Sequence, residues 1–121
     1  LKRNGYTAHP AQDGREALEI MDHQHIDLVI TGEGNMDEQS ASGKAPVGVA
    51  RRAKRYGKPV VAVVGGRADN LNAVYEQGID LVLPICRKPM PLDQALNPQE
   101  ATTNLIFAGE SAAQAYDLAR L

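Results

Sequence analysis

Residues 26–66 read IDLVITGEGNMDEQSASGKAPVGVARRAKRYGKPVVAVVGG, and they switch between two periodicities. Ile26–Thr31 is a short, largely apolar run of the kind that forms a buried strand. A glycine-rich loop, Gly32 to Ser40, follows its carboxyl end. From Gly43 to Tyr56 the spacing predicts a helix, with Val47, Ala50 and Ala53 inward and Arg51, Arg52, Lys54 and Arg55 largely outward. Gly57 stops it and Pro59 introduces a second strand, Val60–Val64. Strand, helix, strand is the grammar of a parallel α/β unit.

The same alternation extends outward. Toward the amino end, Gly5–His9 is expected to be a short edge-like strand. Asp13 with Glu16 forms a capping box for a helix whose apolar face is Ala17, Leu18 and Met21. Toward the carboxyl end, Asp69 is expected to cap a helix carrying Leu71, Val74 and Tyr75. Gly78 ends that helix, and Ile79–Ile85 is a further strand with Pro84 near its terminus. A short helix at Leu92–Leu96 and a last helix from Gly109 onward complete the reading. Ala101–Phe107 stays open between strand and helix.

Composition agrees. The chain of 121 residues is 43% apolar and 23% charged, with one Phe and no Trp. Ala, Val, Ile and Leu supply the apolar mass, as expected of thin helices covering both faces of a parallel sheet. The fold class is therefore α/β: a three-layer, flavodoxin-like (Rossmann-like) parallel sheet with helices on both faces, as a single domain over residues 1–121.

The chemistry concentrates between Gly32 and Lys44. In an open parallel sheet, ligands bind beyond the carboxyl ends of the strands, where this loop falls. Gly32 and Gly34 let the backbone approach a ligand. Glu33, Asp37 and Glu38 are carboxylates able to bind Mg²⁺ or to orient and deprotonate a hydroxyl. Gly43 and the first helical amides can hold phosphate, with Lys44 adding a mobile positive charge. The plainer alternative is a set of turn glycines and solvated loop charges. The spacing is not that of a P-loop: Gly34 and Gly43 are too far apart, and Ala45 stands where Ser or Thr would be.

The combination TGEG, then D-x-Q, then GK-x-P-x-GVA, within Asp27–Gly66, resembles the C-terminal portion of the type I glycerate kinase family. GIDLVLPI, Gly78–Ile85, and the helical tail continue the likeness, which spans residues 27–121. The resemblance implies a longer two-domain enzyme that phosphorylates glycerate, a small hydroxy acid, using ATP and Mg²⁺. By motif, it assigns Asp37, Glu33 and Lys44 as catalytic residues. It makes Gly32, Gly34, Gln39 and Gly43 substrate or phosphate contacts, and Glu33 and Asp37 possible Mg²⁺ ligands. Asn35 stands where an arginine is common in that family, which removes one anion-binding charge. A segment of such a kinase, incomplete and weak or inactive in isolation, is the expected function.

Residues 1–30, LKRNGYTAHPAQDGREALEIMDHQHIDLVI, also resemble part of a response-regulator receiver, and Lys88-Pro89 echoes its Lys-Pro pair. The phosphate-accepting Asp of that pattern would fall at Gly32, so receiver phosphorylation is not expected. The alternative function is then a non-catalytic flavodoxin-like scaffold or a receiver-like interaction domain. Both resembled architectures contain a strand encoded before Leu1. Its place is expected to be filled by Ala101–Phe107 as an added strand or by self-association into a homodimer.

Thirteen basic against fifteen acidic side chains give a net charge of -2, which speaks against a nucleic-acid partner. The longest apolar run, Val60–Val64, is too short to span a membrane. A single cysteine, Cys86, read as semi-buried and structural, and the lack of a signal-peptide pattern lead to a cytoplasmic expectation. His9, His23 and His25 form no metal-ligand pattern with Cys86. The cluster Arg51, Arg52, Lys54, Arg55 and Lys58 reads as a solvated helix face.

Overall fold

The computed structural model describes residues 5–43 and 45–121. Three parallel strands, β1 (Val29–Met36), β2 (Val60–Arg67) and β3 (Leu81–Pro84), lie in the order β1-β2-β3. Five α-helices accompany them among the described residues: α1 (Gly14–His23), α2 (Ala45–Arg55), α3 (Asn72–Glu76), α4 (Leu92–Ala95) and α5 (Pro98–Ala119). A 3₁₀ helix, Glu38–Ser42, joins β1 to α2. Val29 pairs with Val60 and Glu33 with Val64, while Val61 pairs with Leu81 and Val64 with Pro84. This is a three-layer α/β fold with a flavodoxin-like arrangement, as the sequence leads one to expect.

The central strand is apolar on both sides because both sides are covered. Val60, Ala62 and Val64 join Met21, Met36, Ala50, Ala53, Leu71, Val74, Ile79 and Val82 in one core. Val61 and Val63 point the other way, toward α5, whose Ala108, Ala112 and Ala113 are buried. Small side chains along that stripe let the helix lie close to the sheet. Each fully buried valine contributes about 1.5–3 kcal/mol.

Asp80 ties the strand starts together. Its Oδ2 accepts from the Val60 amide at 2.8 Å and pairs with Lys54, and its own amide donates to the Val60 carbonyl at 2.9 Å. Lys54 is thus a structural tie. Arg51 Nε reaches Gln77 Oε1 at 2.7 Å, and both arginines of the pair 51–52 remain exposed with Arg55 and Tyr56.

Several local expectations are corrected. Tyr6–His9 is not a strand; the Tyr6 hydroxyl instead donates to the Asp117 carboxylate, pinning the segment to α5. That hydrogen bond, foremost, raises the Tyr6 pKa above its ordinary value. Ala101–Phe107 is helical, because α5 starts at Pro98 rather than Gly109. Asn97 caps it by accepting from the Gln99 and Glu100 amides, and proline suits its first turn. An added strand from this segment is therefore excluded. Asp69 does not cap α3; Leu71 stands at the cap, and Asn70 Oδ1 accepts from the Asn72 amide. Asp13 does cap α1, but Glu16 reaches back to the Gln12 amide, so the box is not closed on the cap residue. Cys86 is exposed, not semi-buried.

Candidate functional site

β1 runs on past Thr31 through TGEGNM, so half of the expected loop is strand. Its register with Val60–Arg67 holds the glycines extended. The consequence is a rigid mount. Glu33 is half-buried, with one carboxylate oxygen shielded from solvent, while Gly32, Gly34 and Asn35 are exposed. Met36, fully buried in the core, anchors the strand's end.

Asp37 follows and caps the 3₁₀ helix. Its Oδ1 accepts from the Gln39 amide at 2.9 Å, and its own amide donates to Ser40 Oγ at 3.1 Å. Ser40 is completely buried, and the 3₁₀ helix packs against α2 and α3. Asp37 is thereby fixed in position by a capping box closed with Ser40. Gln39 is exposed beside it. Gly43 closes the 3₁₀ helix at φ 119°, a left-handed conformation that favours glycine. Lys44 lies outside the described residues.

The structure thus places Glu33 on β1 between Gly32 and Gly34, and Asp37, Gln39 and Gly43 on the connection that leaves its carboxyl end. Gly65-Gly66, directly after the Val60–Val64 run, form the neighbouring wall as the continuation of β2. A Cβ on Gly65 would fall 2.5 Å from the Gly34 carbonyl oxygen, and one on Gly66 3.0 Å from Asn35 Oδ1. Close backbone approach between β1 and β2 needs a glycine at position 65. The available signal was a glycine pair placed directly after a buried strand run.

Hard carboxylate oxygens at Glu33 and Asp37 suit Mg²⁺, which keeps several waters and takes few protein ligands. Among the described residues, no group of three His, Cys, Asp or Glu is arranged to hold a metal ion. His25 pairs with Asp27 at 2.9 Å. No helix among the described residues is long and apolar enough to cross a membrane.

An open parallel sheet with acidic and glycine residues beyond the end of β1 belongs to the α/β proteins that bind ligands at strand carboxyl ends. Residues 16–117 match the glycerate kinase family, and the chain belongs to that family. The match takes in residues 16–30 of the receiver-like stretch, so the kinase family accounts for them. The chain is 53% identical over 74 residues to a glycerate kinase of Bacillus cereus, covering 61% of this chain and 19% of that protein. It is 40% identical over 100 residues to a glycerate kinase of Haemophilus influenzae, covering 82% and 26%. It is 45% identical over 80 residues to a glycerate 2-kinase of Escherichia coli, covering 65% and 21%. The chain therefore spans about a fifth to a quarter of the length of these relatives.

Proposed function

We propose that the chain supplies the β1 carboxyl-end loop of an ATP-dependent glycerate kinase, and that it has weak or no turnover as an isolated chain of 121 residues. The observation that supports this is the capping box that fixes Asp37 just beyond the carboxyl end of β1, in a chain of that family. In this reading, Asp37 orients the acceptor hydroxyl of a small hydroxy acid and takes its proton. The Gly43 amide and the Lys44 ammonium hold the phosphate, and Gln39 donates to the acceptor. Glu33 and Asp37 would hold Mg²⁺, which when bound neutralises charge on the transferring phosphate.

Phosphoryl transfer depends on positioning and charge stabilisation around the whole nucleotide. One loop provides part of that. A coupled ADP-release assay with glycerate, ATP and Mg²⁺ is expected to read less than a tenth of an ordinary kinase rate of about 1–100 s⁻¹. A rate inside that range would overturn the expectation of inactivity.

A second reading, a scaffold without catalysis, draws on the commitment of Asp37 Oδ1 to its own capping box. Tight ATP binding abolished by Lys44→Ala would exclude it. Self-association belongs to either reading, because β1 has a strand neighbour on one side only among the described residues. Sedimentation equilibrium across micromolar concentrations is expected to show a dimer, and a concentration-independent monomer would exclude it.

A further inference from the structure

The buried stripe of α5 contains one residue that does not belong on it. Asn104, Ala108 and Ala112 follow at helical spacing and all are buried, but Asn104 carries an amide with no exposed surface. Its Oδ1 accepts from Arg87 Nε at 3.0 Å, which fixes the way the amide faces. Its Nδ2 is buried and has no acceptor among the described residues. A buried amide left without a partner costs about 1–3 kcal/mol. That cost calls for an explanation.

Arg87 provides one. It leaves the loop after β3, again at the carboxyl edge of the sheet, and enters a cleft of about 600 Å³ between that loop, α4 and the first turns of α5. Three contacts hold its guanidinium. Asn104 takes Nε, Glu100 lies 3.4 Å from one terminal nitrogen, and the Phe107 ring lies beneath at 5.1 Å. The other terminal nitrogen has no partner among the described residues. An arginine immobilised in this way presents a planar donor edge, suited to a carboxylate or phosphate. Asp93, Glu100, Gln94, Asn97 and Thr103 share the cleft. Carboxylates beside a bare anion would repel it, yet they accept readily from hydroxyls.

We infer that this cleft is a second ligand site, separate from the β1 loop, for a small hydroxylated anion. Arg87 binds the anionic head, the acidic and amide side chains take the hydroxyls, and Asn104 is a positioning residue for the guanidinium. The site is carried by its own contacts and does not rest on the reading of the β1 loop.

The test is an NMR titration of the full 121-residue chain, following backbone amides and the Arg87 Nε–H. Glycerol 3-phosphate and glycerate supply the two possible heads; inorganic phosphate and glycerol are the two halves of the ligand. At least one hydroxylated anion is expected to shift residues 87–104 and to bind tenfold or more tighter than either half, and the tighter of the two names the head. Arg87→Gln is expected to weaken that binding at least tenfold while leaving shifts near Asp37 unchanged. Asn104→Leu, which removes the amide and keeps an apolar side chain of similar size, should lose the protected Arg87 Nε–H and weaken binding severalfold. If this variant does not fold, Arg87→Gln alone decides. Unmoved cleft amides, halves that bind as tightly as the whole, or an Arg87→Gln variant with unchanged affinity would each overturn the proposal.

Discussion

β1 and β2 are adjacent parallel strands of eight residues each, and they differ in almost everything else. β2 is buried at every position from Val60 to Val64, with helices on both faces. β1 alternates half-buried with exposed residues until Asn35 and Met36, and Ile30, though paired with the buried Val61 on the same face, stays 39% exposed. The core demands apolar bulk from Val60–Val64, and none of those residues is free for chemistry. β1 gives up burial for glycines and carboxylates and depends on β2 for its geometry. One strand holds the fold and its neighbour carries the candidate site.

That division can be broken experimentally. The largest effect is expected in the core that the β2 side chains share. Leu71→Ala removes a fully buried side chain and should destabilise by about 2–5 kcal/mol in urea unfolding. Ile30→Ala, at an exposed position of β1, should cost less than half as much. Equal losses would show that β1 is as load-sensitive as the core.

The seam between the strands comes next. Gly65→Ala places a methyl against the Gly34 carbonyl, backbone on backbone, and should cost about 1–3 kcal/mol. Gly34→Ala, where a Cβ meets nothing within 4 Å, should stabilise by under about 1 kcal/mol, the strand preference of alanine over glycine alone. Smaller still is the cap. Asp37→Ala should lose about 1 kcal/mol through the Gln39 amide, whereas Asp37→Asn should keep most of it. Losses of the same size in both variants would show that charge, rather than capping geometry, holds the 3₁₀ helix.

The βαβ unit was legible because Val60–Val64 and the Val47, Ala50, Ala53 stripe satisfy their two periods without conflict. The strand's continuation through Thr31–Met36 was not, because glycine and asparagine are poor strand formers and only pairing with β2 overrides that. Ala101–Phe107 contains two threonines, Ile106 and Phe107, which read equally well as strand. The Asn97 cap and Pro98 start settle it by enclosing the segment in a 22-residue helix. Glu33, Asp37 and Gly43 stand out as candidates in the sequence because carboxylate and glycine spacing are visible in one dimension. Arg87 and Asn104, seventeen positions apart, meet only when α5 folds back over β3, and nothing local announces it.

The β1 carboxyl end is proposed as a ligand site mounted on a paired strand. The direct measurement is an amide NMR titration of the chain with Mg²⁺ and ATP. The largest shifts are expected within residues 32–43 and at Gly65 and Gly66, with Val60–Val64 unmoved. No shift across residues 32–43 at millimolar ATP, or shifts confined to other parts of the chain, would contradict it.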